Sequence, residues 1–200
     1  MNRKRLTELS TIVLMILLVS VLVMRPVLAF GSKEKTPEEK ASETEKSAIK
    51  EYNDGVKAMD AGKAAGQKGD STYAYNYRAT SDAKARKQFE KAVTKFEKAV
   101  ALKPDMAEAY NNLGYCYRKL GKLDESLTAY GTAIKLKKDF DQAYEYRGET
   151  YLAMGQLDKA WADLETLKQL KSQYADVLAK SIETYQLEKV SGAQHSSTKW

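Results

Sequence analysis

Along most of the chain, apolar residues recur every three to four positions. Leu113, Cys116, Tyr117 and Leu120 fall on one helical face, and Leu123, Leu127, Tyr130 and Ile134 on another. That period lets a helix bury one side and wet the other. Gly121 and Gly155 fall between two such stretches, where a helix that turns back needs a left-handed C-terminal residue. The pattern predicts antiparallel helical pairs joined by short turns. Two N-terminal stretches break it. Residues 11–24 are an uncharged run rich in Ile, Leu, Val and Met, and residues 31–47 are charged, carry Pro37 and show no apolar face.

The pattern also repeats at a fixed step. Aligning Ala107 with Asp141, 34 residues on, brings Tyr110 onto Tyr144, Gly114 onto Gly148 and Tyr117 onto Tyr151. Gly121 then meets Gly155, Leu123 meets Leu157, Asp124 meets Asp158, Ser126 meets Ala160 and Tyr130 meets Leu164. Gly114, Gly148 and Ala160 are small where two antiparallel helices cross closely, and the tyrosines fill the space beside them. This period and pattern resemble the tetratricopeptide repeat family. The 107–140 unit supplies Tyr110, Leu113, Gly114, Tyr117, Tyr130 and Ala133 at the family's marked positions, and departs at Ser126 and Lys138. The 141–174 unit keeps Tyr144, Gly148, Tyr151 and Ala160, and departs at Arg147, Leu164, Leu167 and Ser172.

An earlier unit is split. Ala92, Phe96, Ala99 and Pro104 match the second half of a repeat, and Ile49–Gly62 matches the first half, with Gly55 as its close-packing glycine. Between them lies an insertion, residues 63–87. It is read either as a lengthening of both helices, capped at Asp70 or Ser71, or as an extended loop along which Tyr73, Tyr75 and Tyr77 alternate. The helix-forming composition of residues 83–98 favours the first. Residues 175–188 place Val177, Leu178, Ile182, Tyr185 and Leu187 at helical spacing, as a capping helix should. Residues 189–200 read as a disordered tail. The resemblance therefore implies an all-α, right-handed solenoid of three helical hairpins over residues 48–188, with the first repeat at 48–104.

Composition and charge add a compartment. Arg3, Lys4 and Arg5 precede the apolar run, Arg25-Pro26 ends it, and Val27 and Ala29 fit a cleavage site after Ala29. This is the layout of a secretory signal peptide over residues 1–29. The alternative is an uncleaved signal anchor, and both readings put the body outside the cytoplasm, since the positive end stays inside. Residues 30–47 then read as a charged linker. Of the formal charge of +6, this N-terminal segment holds half: Arg3, Lys4, Arg5 and Arg25 against Glu8. The basic excess is therefore weak support for nucleic-acid binding.

The chain carries one cysteine, Cys116, and one histidine, His195. No disulfide framework, thiolate zinc site or His-based triad can be built from them, and no cofactor is expected. Cys116 reads as a small core residue, and Trp161 as packing. In the resembled family the first helix of each repeat lines a concave groove. That implies groove positions at Tyr52 and Val56, then Glu108, Asn111, Asn112, Tyr115, Arg118 and Lys119, then Gln142, Glu145, Tyr146, Glu149, Leu152 and Ala153. Mixed amides, tyrosines and charges suit an extended peptide or a helix. One branch of the family grips carboxylate tails with Lys, Arg and Asn, but here those positions hold Tyr52, Val56, Asn112, Gln142 and Tyr146, of which only Asn112 fits. The function so implied is a non-catalytic exported scaffold, in the periplasm of a bacterial envelope, that binds a protein or peptide. A self-assembling structural protein and a membrane-anchored assembly factor are the alternatives.

Overall fold

A computed structural model of the chain describes residues 35–66, 80 and 82–197, with side chains as far as residue 190. The chain divides into two units, residues 1–40 and 41–200. Among the described residues there are seven helices and no strand. They are α1 (Pro37–Gly66), α2 (Ala83–Leu102), α3 (Ala107–Lys119), α4 (Leu123–Leu136), α5 (Asp141–Ala153), α6 (Leu157–Gln169) and α7 (Tyr174–Ser197).

Several boundaries have a local cause. In the first unit, the backbone N–H of Glu39 donates to Thr36 Oγ1 at 3.2 Å, and that of Thr36 donates to Glu39 Oε2 at 2.8 Å. This reciprocal capping box, with Pro37 in the first turn, nucleates α1. The helix therefore begins inside the stretch read as a linker, and its residues 37–47 are all exposed. Helix α2 is capped by Asp82, whose carboxylate accepts from the Ala85 N–H at 2.6 Å. The cap is thus neither Asp70 nor Ser71, while α1 runs on to Gly66. Residues 67–79, with Tyr73, Tyr75 and Tyr77, lie outside the described residues, as do residues 1–34, with the apolar run and Ala29. No described helix is long and apolar enough to cross a membrane.

Helices α3 and α5 end alike. Gly121 (φ 79°) and Gly155 (φ 73°) take the left-handed conformation. The next N–H then bonds back, Lys122 to the Tyr117 carbonyl at 2.9 Å and Gln156 to that of Tyr151 at 2.8 Å, which closes the helix end. Helix α6 ends the same way with Lys171 (φ 53°) in place of glycine, and Ser172 N–H reaches the Leu167 carbonyl at 3.0 Å.

In the second unit, α1 packs antiparallel on α2, with Gly55 against Phe96 and Gly62 against Phe89; from α2 onward each helix touches the next, α3 also touches α5, and α5 touches α7. That alternation is the stacking of a helical-repeat solenoid. The hairpins are α1/α2, α3/α4 and α5/α6, with α7 closing the end. The core is strung along the stack in three clusters. Phe89, Phe96, Leu113 and Cys116 anchor the first, Tyr130, Ile134 and Phe140 the second, and Leu152, Leu164, Leu167, Leu178 and Ile182 the third. Gly114 sets the spacing of the second hairpin: a Cβ there would lie 2.7 Å from the Tyr130 ring. Gly148 does the same against the cap, where a Cβ would lie 2.6 Å from Leu178. Trp161 corrects the sequence reading, since 43% of its surface is exposed. Helix α7 continues to Ser197, so residues 189–197 extend the cap rather than forming a disordered tail.

Candidate functional site

The first helices of the hairpins, α1, α3 and α5, carry the predicted groove residues, with α7 next in line. Their side chains bond mainly to one another. Asn112 Nδ2 donates to the Tyr52 hydroxyl at 3.3 Å, joining α3 to α1. Asn111 Nδ2 donates to Gln142 Oε1 at 3.2 Å, joining α3 to α5. The Gln142 amide then donates to the hydroxyls of Tyr146 at 3.4 Å and Tyr174 at 3.5 Å, the latter on α7. Arg118 meets Glu149 at 2.9 Å, and the Ser181 hydroxyl on α7 donates to Glu149 at 3.4 Å. A row of polar bridges therefore crosses the stack at every step.

Aromatic rings fill the space between them. Tyr115 lies 6.0 Å from Phe89 and 5.4 Å from Tyr146, and Tyr146 lies 6.0 Å from Tyr130. The Arg118 guanidinium sits over both Tyr115 and Tyr146, 5.5 Å from each centroid. Lys63, at the end of α1, reaches to 4.9 Å from the Tyr115 ring. These are attractive cation–ring contacts.

Exposure divides the predicted set. Asn111, Arg118, Glu145 and Glu149 are buried, none above 3% exposed. Tyr52, Val56, Asn112, Tyr115, Lys119, Gln142 and Tyr146 are half-buried, and Glu108 is exposed. The four buried residues are thus interior groups between repeats rather than open groove surface. Of the other two, Leu152 is also buried, and Ala153 is half-buried. The sequence reading missed Lys63, Tyr174 and Ser181. Lys63 follows Tyr52, Val56 and Met59 at helical spacing, and Tyr174 follows Met106 and Phe140 at the 34-residue step, so both were within reach of the pattern.

The electrostatics follow from burial. Desolvation drives the Glu145 carboxyl up to about 9, Glu149 on the next turn adds to this, and Arg118 only partly offsets it. Burial also pushes the Tyr115 hydroxyl up to about 12. For Arg118 burial is the largest effect and works against the charge, but Glu149, Tyr130, Tyr115 and Glu145 together outweigh it and hold the guanidinium above its ordinary range. Burial raises the Cys116 thiol far above the usual range, which removes thiolate character. Among the described residues, no three His, Cys, Asp or Glu side chains converge to hold a metal ion.

A family model described as a TPR (tetratricopeptide) repeat matches residues 84–117 and 114–155. Similar solved structures include the TPR domain of OM64 from Arabidopsis, at 21% identity, covering 68% of this chain and 98% of that chain with a TM-score of 0.48. MamA is similar at 21% identity, over 76% of this chain and 90% of that chain, with a TM-score of 0.37. No curated protein sequence matches the chain.

Proposed function

Since residues 84–155 are tetratricopeptide repeats, we propose that this chain is a non-catalytic scaffold that takes a protein or peptide partner along its first helices, outside the cytoplasm of a bacterial cell. Repeats of this kind serve protein–protein interaction, and each presents its first helix on a shared face. The observation that carries the reading is the half-buried strip of Asn112, Tyr115, Lys119, Gln142 and Tyr146, which still reaches solvent over a bonded interior. Rigid rings and adaptable amides suit a peptide surface. For the compartment, the support is the basic N-terminus, the uncharged run of residues 11–24 and the small residues at 27 and 29.

Crosslinking and capture from an envelope fraction tests the binding face. The Asn112→Ala/Tyr115→Ala/Lys119→Ala variant spares buried Asn111. A partner held by the parent and lost by the folded variant supports the reading; unchanged capture moves the contact surface elsewhere. Fusing residues 1–34 to a reporter that is active only outside the cytoplasm tests export, and an inactive fusion overturns it.

Self-association is the second reading. It is favoured by exposed Val177, Leu187 and Val190 on α7. Sedimentation at increasing concentration decides between monomer and assembly, and Leu187→Glu/Val190→Glu should dissolve any assembly made through α7.

A further inference from the structure

Helix α2 carries a row of lysines that the repeat does not require. Lys84, Lys87, Lys91 and Lys98 are all exposed, and their spacing keeps them on one stripe of the helix, about 21 Å long. Among the described residues none of the four makes an ion pair. Lys95, beside the stripe, differs: it meets Glu51 at 2.9 Å and Asp54 at 3.6 Å on α1. Exposed Lys50 and Lys57 flank that bridge on α1. Nearby acids do little to balance the row. Asp82 caps the helix and Glu97 accepts the Tyr117 hydroxyl at 2.6 Å, which leaves exposed Glu90 beside the stripe. At the 34-residue step, Lys91 and Lys98 become Glu125 and Thr132, while Lys84 and Lys87 lie ahead of the point where α4 begins in register.

Any polar outer face keeps the end of a stack soluble. A row of one sign is a different matter, because like charges a turn apart destabilise a helix until an anionic surface covers them. Two observations indicate which surface. The first is that the row has no apolar company: the exposed large hydrophobic residue of α2, Leu102, lies beyond it. Protein interfaces are apolar and aromatic at their centre and poor in lysine, whereas anionic headgroups attract lysines without apolar burial. The second is that the uncharged run of residues 11–24 is separated from Pro37 by residues 25–36, at most about 40 Å of extended chain. A bilayer that holds this run is therefore within reach of the first hairpin. We propose that α2 lays its lysine row on the anionic headgroups of a lipid bilayer. This goes beyond the groove reading, since it uses a second helix and leaves the first helices α3 and α5 open to a partner.

Amine labelling of the full chain, read lysine by lysine by mass spectrometry, tests this on phosphatidylcholine vesicles with and without about one-third phosphatidylglycerol. Both vesicles can hold the apolar run, so the difference between them reports on the lysines. Labelling of Lys84, Lys87, Lys91 and Lys98 should fall several-fold on the anionic vesicles alone, while exposed Lys135 and Lys138, around the end of α4, label equally on both. Salt at about 0.5 M should abolish the protection. Lys87→Glu/Lys91→Glu, with its fold checked by a melting curve, should return Lys84 and Lys98 to their rate on phosphatidylcholine. Equal labelling of the row on the two vesicles overturns the inference. So does protection that extends alike to Lys135 and Lys138, or that survives in the folded variant. Protection by duplex DNA but not by vesicles assigns the row to nucleic-acid phosphates and overturns it as well. None of these outcomes alters the capture experiment on the groove, so the two readings stand or fall separately.

Discussion

Ser126 shows how a single departure from the repeat pattern finds its reason. Its hydroxyl donates to the Gly114 carbonyl at 2.8 Å in a fully buried setting, so the extra oxygen is satisfied. Gly114 itself is fixed by contact: Gly114→Ala drives a methyl into Tyr130, whose ring is wholly buried. Overpacking of this kind costs about 1–3 kcal/mol, and thermal or urea unfolding should show that loss. Glu145 gives a pH signature. Its folded-state value is raised from 4.5 to about 9, so between these limits the native state holds a proton that the unfolded state has released. Stability should therefore fall as pH rises through that window. Unfolding midpoints from pH 5 to pH 9 should show the decline, and Glu145→Gln should flatten it and raise the midpoint near neutrality. A parent chain with no such slope would contradict the burial of the Glu145 carboxyl. The repeat alignment placed Gly114 and Tyr130 together from sequence. It placed Glu145 on an open groove, because an acid at that position carries no mark of what will cover it.

Helix ends were legible where their signals are local. Gly121 and Gly155 announced two turns. Thr36-Pro37 with Glu39 is a capping box that extends α1 back into the charged stretch, and only its lack of an apolar face made that stretch read as a linker. The Asp82 cap competes in sequence with Asp70 and Ser71, and all three residues suit the role. Lys171 marks the exception. It holds a left-handed conformation at φ 53° where the two preceding repeats use glycine. A side chain there costs roughly 1 kcal/mol. Lys171→Gly should therefore raise stability only slightly, by about 0.5 kcal/mol at most once the extra flexibility of the unfolded chain is subtracted; a loss of stability would mean that the Lys171 side chain is making a contact of its own.

Stacked hairpins depend on the surfaces between them, and Arg118–Glu149 crosses one such surface with both side chains at 1% exposure. Removing either partner leaves a buried charge unpaired, at a cost of about 3–5 kcal/mol, whereas replacing both by apolar groups of similar volume is often neutral. Glu149→Ala should accordingly destabilise the stack strongly, and Arg118→Met/Glu149→Leu should recover most of the loss. Chemical denaturation of the two variants checks the order. If the single change is mild, the pair adds little to the coupling between the second and third hairpins.

The sequence by itself determined the helices, their pairing, the 34-residue register and the small residues at the close crossings. Each of these is written in neighbours a few positions apart or in one repeated step. The tertiary structure alone decided which predicted groove residues face solvent. Burial of Asn111, Arg118, Glu145 and Glu149 comes from side chains on several helices, brought together only when the hairpins stack. The same stacking turned a row of polar residues into bridges between repeats.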